Sequence, residues 1–326
     1  IELAAQAGAE SFAQIPHSLD TFPTRVKVLV ESSDFTEPNH GFFFEAIGAA
    51  ARDGSHPTEQ YGGVVYAWNE GSIRVWAPSG GSGTGSVIEV NGGWGDPEDS
   101  SLHQHSSSAR VHVLAWLDAA PAYDSGWFEL RSQDGASSFR EVSHGLGSHP
   151  WRVKVYVRAT SGSSSGYVWP AGGSDLGDDD NAHGMTYGGV VFAYSEDRVR
   201  LWAPTQNNNA AEGRVVSVGP GWAGGHMEAR LSSASVKVLA WPGADPDFDS
   251  GWFDMSVNLL NFRELDHGLG SLPERVKVYV RPADGPNAGF WFEASGAQLT
   301  DGASHTDVGA VTFAYSDTSV RVWAPN

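Results

Sequence analysis

Three histidines share one setting and are the clearest candidates for acid–base chemistry. Each lies five residues after a phenylalanine and precedes a proline and an Arg-Val-Lys-Val segment: His17, His144 and His267. A general base needs a partner within hydrogen-bond reach that orients it. The nearest acids, Glu141 and Glu264, become Gln14 in the first copy, so no carboxylate recurs with the histidine. We therefore predict that the histidine fixes the turn before the strand, that no residue is catalytic and that the protein is not an enzyme.

Clustered carboxylates offer a second chemistry, the binding of a hard cation. Four aspartates lie close together in the second copy: Asp175, Asp178, Asp179 and Asp180. Oxygen ligands of this kind suit Ca²⁺, but their spacing is not that of an EF-hand loop. The other copies keep only Asp53 or Asp301 at this loop. We therefore expect a solvated acidic loop without a tight Ca²⁺ site, and we predict no cofactor.

Cationic and aromatic residues alternate with aliphatic ones in the strands of each copy. In Arg198-Val-Arg-Leu-Trp202, side-chain alternation places Arg200 and Trp202 on one face and Val199 and Leu201 on the other. Such a face stacks on sugar rings or binds a partner chain when it is exposed, and it is ordinary packing when connecting strands cover it. The candidate ligand or interface residues are Arg74, Trp76, Arg200, Trp202, Arg321, Trp323, Lys27, Lys154, Tyr156, Lys277 and Tyr279.

These candidates lie in a sequence repeat that occurs three times. Residues 61–78, 187–204 and 308–325 each contain two alternating segments rich in β-branched and aromatic residues, joined by a short polar turn, which is typical of a β-hairpin. The second copy predicts six short strands, and each connecting segment predicts two more. The predicted strands are 126–130, 139–142, 153–158, 166–169, 189–194 and 199–203, with 87–90, 111–116, 215–218 and 236–241 in the connecting segments.

This strand density predicts an all-β fold of three tandem antiparallel β-sandwich modules with two-stranded connecting segments. The predicted boundaries give a first module at residues 1–79 with an incomplete opening strand. Residues 80–205 hold connecting strands and the second module, and residues 206–326 hold connecting strands and the third.

The composition excludes several classes of partner. The net charge of −19 argues against nucleic acids and anionic membranes. No apolar run is long enough to span a bilayer, so we predict no membrane insertion. The absence of cysteine excludes disulfides and thiolate chemistry. An acidic array rich in Gly, Ser and Trp favours an extracellular or cell-surface location.

The short motifs of each copy resemble those of the H-type lectins, a family of small six-stranded sandwiches. The shared features are a Ser-Gly-Trp opening strand at 125–127, a proline before a Val-x-Val strand at 150–155, and the closing pair Trp202-Ala203. The resemblance covers the three repeated stretches and implies sugar binding, often by trimers. No motif matches the family's sugar-contacting residues, so none is carried over. The Trp-rich connecting segments and the tandem arrangement depart from the family.

Two hypotheses about function follow from these patterns. The preferred one is an extracellular structural or adhesive array, a segment of a longer array or filament that associates with further copies or subunits. The alternative is a multivalent lectin in which each module binds a glycan weakly and the array gains avidity. Ile1-Glu-Leu3 aligns with Phe128-Glu-Leu130, inside a predicted strand. The first hypothesis therefore predicts that the edge at 1–3 pairs with residues outside 1–326.

Overall fold

The computed structural model describes residues 1–5, 8–47, 60–78, 84–90, 104–133, 135–172, 186–204, 212–218, 227, 229–243, 246–256, 260–294 and 311–324. The predicted all-β class is confirmed. Every regular element in these ranges is a strand, apart from two short 3-10 turns at Gly8–Ser11 and Gly135–Ser138. The same ranges contain no helix of the length and apolarity needed to cross a membrane.

The strands follow the alternation of β-branched and aromatic residues with polar ones. The first repeat and its connecting segment form β1 (Glu2–Ala4), β2 (Phe12–Pro16), β3 (Arg25–Ser32), β4 (Phe43–Glu45), β5 (Gln60–Gly62), β6 (Val65–Trp68), β7 (Ser72–Trp76), β8 (Thr84–Ser86), β9 (Ile88–Val90), β10 (Gln104–Ser106) and β11 (Ser108–Trp116). The second forms β12 (Tyr123–Asp124), β13 (Phe128–Arg131), β14 (Phe139–Ser143), β15 (Arg152–Arg158), β16 (Val168–Pro170), β17 (Thr186–Gly188), β18 (Val191–Tyr194), β19 (Arg198–Trp202), β20 (Glu212–Arg214), β21 (Val216–Val218), β22 (Ala229–Leu231) and β23 (Ser233–Trp241). The third forms β24 (Phe262–Asp266), β25 (Tyr279–Val280), β26 (Trp291–Glu293), β27 (Thr312–Tyr315) and β28 (Ser319–Trp323).

Each large sheet is built from two repeats. The hairpin of one repeat (β6–β7, β18–β19 or β27–β28) pairs with the short strand of another (β16, β26 or β4). The first hairpin joins the second repeat, the second joins the third, and the third returns to the first. The register is the same at all three junctions: Trp68 opposite Val168, Tyr194 opposite Trp291, and Tyr315 opposite Phe43.

This sharing of strands closes the three repeats into a ring. The sheet orders are β1-β11-β3-β4-β27-β28-β24, β12-β23-β15-β16-β6-β7-β2 with β13 also on β23, and β14-β19-β18-β26-β25. Each sheet therefore crosses a boundary between copies. The predicted division at residues 79/80 and 205/206 does not mark where the sheets begin and end, because neighbouring copies share them.

The connecting strands pair back onto the repeat that precedes them. β11 lies antiparallel to β3, and β23 lies antiparallel to β15. β1 then pairs with the outer edge of β11, and the ammonium group of Ile1 donates to the Val111 carbonyl at 2.9 Å. The expectation that residues 1–3 pair outside the chain is therefore wrong. The connecting segment that we assigned to the second module supplies their partner.

Aromatic rings attach each hairpin to the neighbouring repeat. The tryptophan that ends each hairpin stacks on a ring of the paired short strand: Trp76 on Trp169 at 6.4 Å, Trp202 on Phe292 at 6.1 Å, and Trp323 on Phe44 at 6.2 Å. Aromatic pairs bury a large area and add an attraction of their own. These pairs are therefore the apolar core of each junction between repeats.

Replacement of Phe44 tests the ring closure. Phe44 is fully buried against Trp323, at the junction between the third and first repeats. We expect Phe44→Ala to lower the free energy of unfolding by about 3–5 kcal/mol. Phe35 in the same repeat is 74% exposed, so Phe35→Ala should stay within about 0.5 kcal/mol of the wild type. Urea unfolding followed by tryptophan fluorescence measures both. Equal effects of the two variants would contradict the closure.

Candidate functional site

The hairpin arginines predicted as ligand or interface residues bind loops of the neighbouring repeat. Arg200 donates to Asn287 Oδ1 at 2.9 Å, and its guanidinium lies 4.0 Å from the centre of the Phe290 ring. The two counterparts make equivalent contacts: Arg321 with Asn39 (2.7 Å) and Phe42 (4.0 Å), and Arg74 with Ser164 (3.2 Å) and Tyr167 (3.8 Å).

The hairpin tryptophans lie in the same junctions. Trp76 and Trp323 are fully buried, and Trp202 is half-buried. The exposed face that sugar stacking requires is therefore not present at Trp76 and Trp323. The arginines and tryptophans are interface residues, but the partner that they contact is the next repeat of the same chain.

The lysine candidates belong to a buried charged layer with two glutamates. Lys27 binds Glu45 at 2.7 Å and the Tyr315 hydroxyl at 2.6 Å, and Lys277 binds Glu293. In the second repeat Pro170 occupies the position of these glutamates. The second repeat therefore supplies no carboxylate at this position to pair with Lys154. The tyrosine candidates donate to backbone carbonyls: Tyr156 to Thr24 at 2.6 Å and Tyr279 to Trp151 at 2.9 Å.

Charge within this layer controls the ionisation of Glu293. Burial alone would raise the pKa of Glu293, but the ammonium groups of Lys277 and Lys154 overcome it and hold that pKa below its ordinary value. Burial lowers the pKa of Lys277 to about 8, which leaves this lysine largely protonated at neutral pH. A depressed carboxylate pKa contributes stability above the unfolded pKa and loses it as the pH falls through the folded value.

A second charged layer joins the three repeats where the Arg-Val-Lys-Val strands begin. Its cations are Arg25, Arg152 and Arg275. Asp118 binds Arg25 at 3.3 Å and Arg152 at 2.8 Å, so it bridges the first and second repeats. The Arg275 guanidinium lies 4.4 Å from the centre of the Trp151 ring. Glu274 of the third repeat binds Arg25 at 3.3 Å. Each junction thus uses a different group to hold its arginine.

The recurrent histidines hold turns together, as predicted. The Leu146 amide donates to His144 Nδ1 at 3.3 Å, so the proton lies on Nε2, which donates to the Ser195 carbonyl at 3.3 Å. His267 repeats this arrangement, and His17 Nε2 contacts the Asn69 carbonyl at 3.0 Å. These carbonyls belong to the hairpin turns, so the histidine ties the turn before its strand to the hairpin of the same repeat.

Glu141 and Glu264, the acids nearest to the histidines in the sequence, bind arginines instead. Glu141 accepts from Arg198 at 2.7 Å and from Arg200 at 2.8 Å, which lowers the pKa of this carboxyl. Glu264 accepts from the Ser319 hydroxyl and pairs with Arg321. Neither contact orients a histidine for proton transfer.

The candidate Ca²⁺ ligands lie outside the described residues: Asp175, Asp178, Asp179 and Asp180. In the sequence they fall between β16 and β17. The expectation of a solvated acidic loop without a tight Ca²⁺ site therefore stays a prediction.

One sheet edge distinguishes the third repeat from the other two. Residues 275–280, which we name the acceptor edge, align with β3 and β15, although only Tyr279–Val280 forms a strand here (β25). Among the described residues no strand pairs with its outer side, and the third sheet has five strands where the others have seven and eight. Val278 is half-buried, whereas its counterparts Val28 and Val155 are 1% exposed, and Val280 is half-buried, whereas its counterparts Val30 and Val157 are fully buried. The inner side of the acceptor edge, which faces β26, is already paired, because the Ala294 amide donates to the Val278 carbonyl at 2.9 Å.

In the second repeat the equivalent edge, β15, is covered by β23, and a turn on the far side of β23 holds that strand. The turn spans residues 124–127 and lies across β23 from β15. The Ser125 amide donates to the Val238 carbonyl at 3.0 Å, and the Val238 amide donates to Ser125 Oγ at 2.9 Å. Asp124 binds Lys237 at 2.9 Å. Two backbone groups and one charge of β23 are thus held by this turn.

The third repeat contains the same turn at residues 249–252, which we name the acceptor turn. Gly251 donates to Asp249 Oδ1 at 2.8 Å, as Gly126 does to Asp124, and the two glycines have φ of +65° and +66°. A positive φ favours glycine. The Trp252 ring centre lies 4.4 Å from Arg281, close to the 4.2 Å between Trp127 and Arg158. The turn and the edge therefore keep the Arg–Trp contact that spans β23 in the second repeat.

No protein-family model matches this chain, and no curated protein matches it at a significant level. Its function therefore has to be inferred from the geometry.

The acceptor edge is a structural feature that the sequence patterns did not predict, although a count of segments points to it. Residues 1–326 contain three Arg-Val-Lys-Val segments but two segments of the pattern Val-x-Val-Leu-Ala-Trp, at residues 111–116 and 236–241. Each segment of the second pattern covers the Arg-Val-Lys-Val segment that precedes it, and within these residues none follows the third.

Removal of one partner from the buried charged layer tests its contribution. We expect Glu293→Gln to cost about 3–5 kcal/mol of unfolding free energy, because it leaves Lys277 without its counter-charge. The double variant Lys277→Met/Glu293→Leu should recover most of that loss, since it removes both charges. Glu129, which pairs with Arg131 at the surface, is the control, and Glu129→Gln should change stability by less than about 0.5 kcal/mol.

The pH dependence of the same variant gives a second readout. The difference in stability between wild type and Glu293→Gln should shrink as the pH falls through the folded pKa of Glu293, because protonation discharges the carboxylate in the wild type. Urea titrations at a series of acidic pH values measure this difference. A constant difference across the series would mean that Glu293 is not the group responsible.

Proposed function

We propose that this chain is an extracellular structural protein, a building block that joins further repeat units of its own kind through the acceptor edge. The observation that carries this proposal is the contrast between equivalent strands. In the first two repeats the Arg-Val-Lys-Val strand is covered by a connecting strand, whereas in the third its valines are half-buried and its outer backbone groups face no described strand.

An unpaired strand edge favours association because it presents a row of free N–H and C=O groups. Proteins that avoid such pairing often place an exposed lysine on the edge. The lysine of the acceptor edge, Lys277, is instead engaged with Glu293 in the buried layer. Arg275 lies against Trp151. Neither charge is positioned to repel an incoming strand.

Two further features support a structural role. The closed ring binds repeat to repeat through stacked aromatic rings and ion pairs. The composition, acidic and rich in Gly, Ser and Trp without cysteine, supports an extracellular setting. The alternative of a multivalent lectin has less support, because the residues predicted to stack on sugars lie in the junctions between repeats.

Sedimentation velocity over a range of protein concentrations tests the proposed association. We expect concentration-dependent self-association in which the acceptor edges of two copies pair, because both strands of the covering pattern are already paired within each chain. Val278→Lys should weaken it, because it places a charge on the apolar side of the acceptor edge. The control Phe35→Lys lies on an exposed phenylalanine of the first repeat and should leave it unchanged. Near-UV circular dichroism checks that both variants are folded. A wild-type chain that stays monomeric at all concentrations would contradict the proposal.

A further inference from the structure

We infer that the acceptor edge and the acceptor turn together form a slot for one antiparallel β-strand of the pattern Val-Lys/His-Val-Leu-Ala-Trp, supplied by a further repeat unit. This inference rests on the proposed function for its biological setting. Its structural basis is independent, because the equivalent edge is covered twice within the chain itself and the equivalent turn lies beside one of the covering strands. The occupants there are β11 and β23, whose sequences share the pattern.

The two filled slots define the register of the third. The arginine that begins each Arg-Val-Lys-Val strand lies opposite the tryptophan that ends the covering strand, Arg25 opposite Trp116 and Arg152 opposite Trp241. The register therefore places Arg275 opposite the tryptophan of the incoming strand. Lys277 then lies opposite its leucine, as Lys27 and Lys154 lie opposite Leu114 and Leu239.

The backbone of the acceptor edge is oriented for this pairing. The Val278 carbonyl is directed to the inner side, where it accepts from Ala294. Because the N–H and C=O of one strand residue point to the same side and alternate along the strand, those of Tyr279 in β25 are directed outward. These outward groups are the ones that receive the incoming strand.

Arg275 and Asp249 select the side chains of the occupant. The Arg25 guanidinium lies 3.8 Å from the centre of the Trp116 ring, and the Arg152 guanidinium lies 3.7 Å from that of Trp241. Arg275 offers the same cation to a third tryptophan. Asp249 corresponds to Asp124, which binds Lys237, so it favours a basic residue four positions before that tryptophan.

The occupant is a strand other than β11 and β23. Both segments of the required pattern are committed to their own sheets. Val111 is 3% exposed and Val236 and Val238 are fully buried, so neither strand is free to move to the third repeat. The slot therefore matches in sequence and in register a strand of the kind that follows each of the first two repeats.

Binding of a synthetic strand to the full chain tests the inference. The probe is a fluorescent peptide with the sequence of residues 233–241, and fluorescence anisotropy gives its affinity. We expect saturable binding with one peptide per chain. Leu239→Pro in the peptide should abolish binding, because it removes an N–H that pairs with the edge. Trp241→Ala should weaken it by roughly three- to ten-fold through loss of the stacking on Arg275.

A double-mutant cycle tests the register. Asp249→Ala in the protein should weaken binding of the original peptide by roughly two- to five-fold. It should have no effect on a peptide that carries Lys237→Ala, because the two residues then have no contact to lose. Asp124→Ala is the matched control, since β23 already fills its slot, and it should leave peptide binding unchanged. No saturable binding, or no coupling between Asp249 and Lys237, would overturn the inference.

The peptide also separates this inference from the proposed function. Self-association that the peptide blocks supports both. Self-association that persists at saturating peptide supports the structural role, but it means that copies associate elsewhere and overturns the strand slot as their contact. Saturable, register-specific peptide binding by a chain that stays monomeric supports the slot and counts against the self-associating building block.

Discussion

The backbone of a β-strand must satisfy its hydrogen-bonding groups on both sides, and in this protein no repeat does so alone. The hairpin of each repeat is completed by the short strand of the next, and the Arg-Val-Lys-Val strand is completed by a connecting strand that follows its repeat. The ring, the buried junctions and the open edge are consequences of this single requirement. The valines of the Arg-Val-Lys-Val strand are buried in the two repeats where strands pair on both of its sides, and they are half-buried in the third, where only the inner side is paired.

The three junctions of the ring share the same strand pairing, but their side chains differ. The arginine layer is held by Asp118 at the first junction, by Trp151 at the second and by Glu274 at the third. The position of Asp118 is taken by Gly243 after β23, and a Cβ atom at Gly243 would lie 2.4 Å from Trp151. The glycine thus makes room for the tryptophan. Each junction is chemically distinct, which disfavours pairing of a hairpin with the wrong neighbour.

Local patterns predicted the strands well, because alternation and turn residues act within a few residues of the chain. The hairpins, the six strands of the second copy and the strands of the connecting segments are present close to their predicted positions. The parallel pairs β5–β8 and β17–β20 have no such signal and were not expected. The turn-fixing role of His144 was also predictable, since its frame of glycine, leucine and proline is local.

The partners of the strands were not predictable in the same way. Alternation in Arg198–Trp202 shows which side chains share a face, but not whether the strand across from it belongs to the same repeat. Proximity along the chain suggested that residues 111–116 serve the module that follows them, whereas they cover the one before. The exposure of Trp76 and Trp323 depended on a different neighbour, the short strand of another repeat (β16 or β4), which the strand pattern did not reveal.

The return of the third hairpin to the first repeat has a consequence for how the protein is made. Tyr315 and Phe43 are paired across almost the whole length of the chain, and contacts of such large sequence separation form slowly, because a long loop must close first. During synthesis β4 emerges well before β27. Until β27 follows, an apolar strand of the first repeat lacks its neighbour, and such transient edges promote aggregation. The net charge of −19 favours mutual repulsion of nascent copies, which opposes that aggregation.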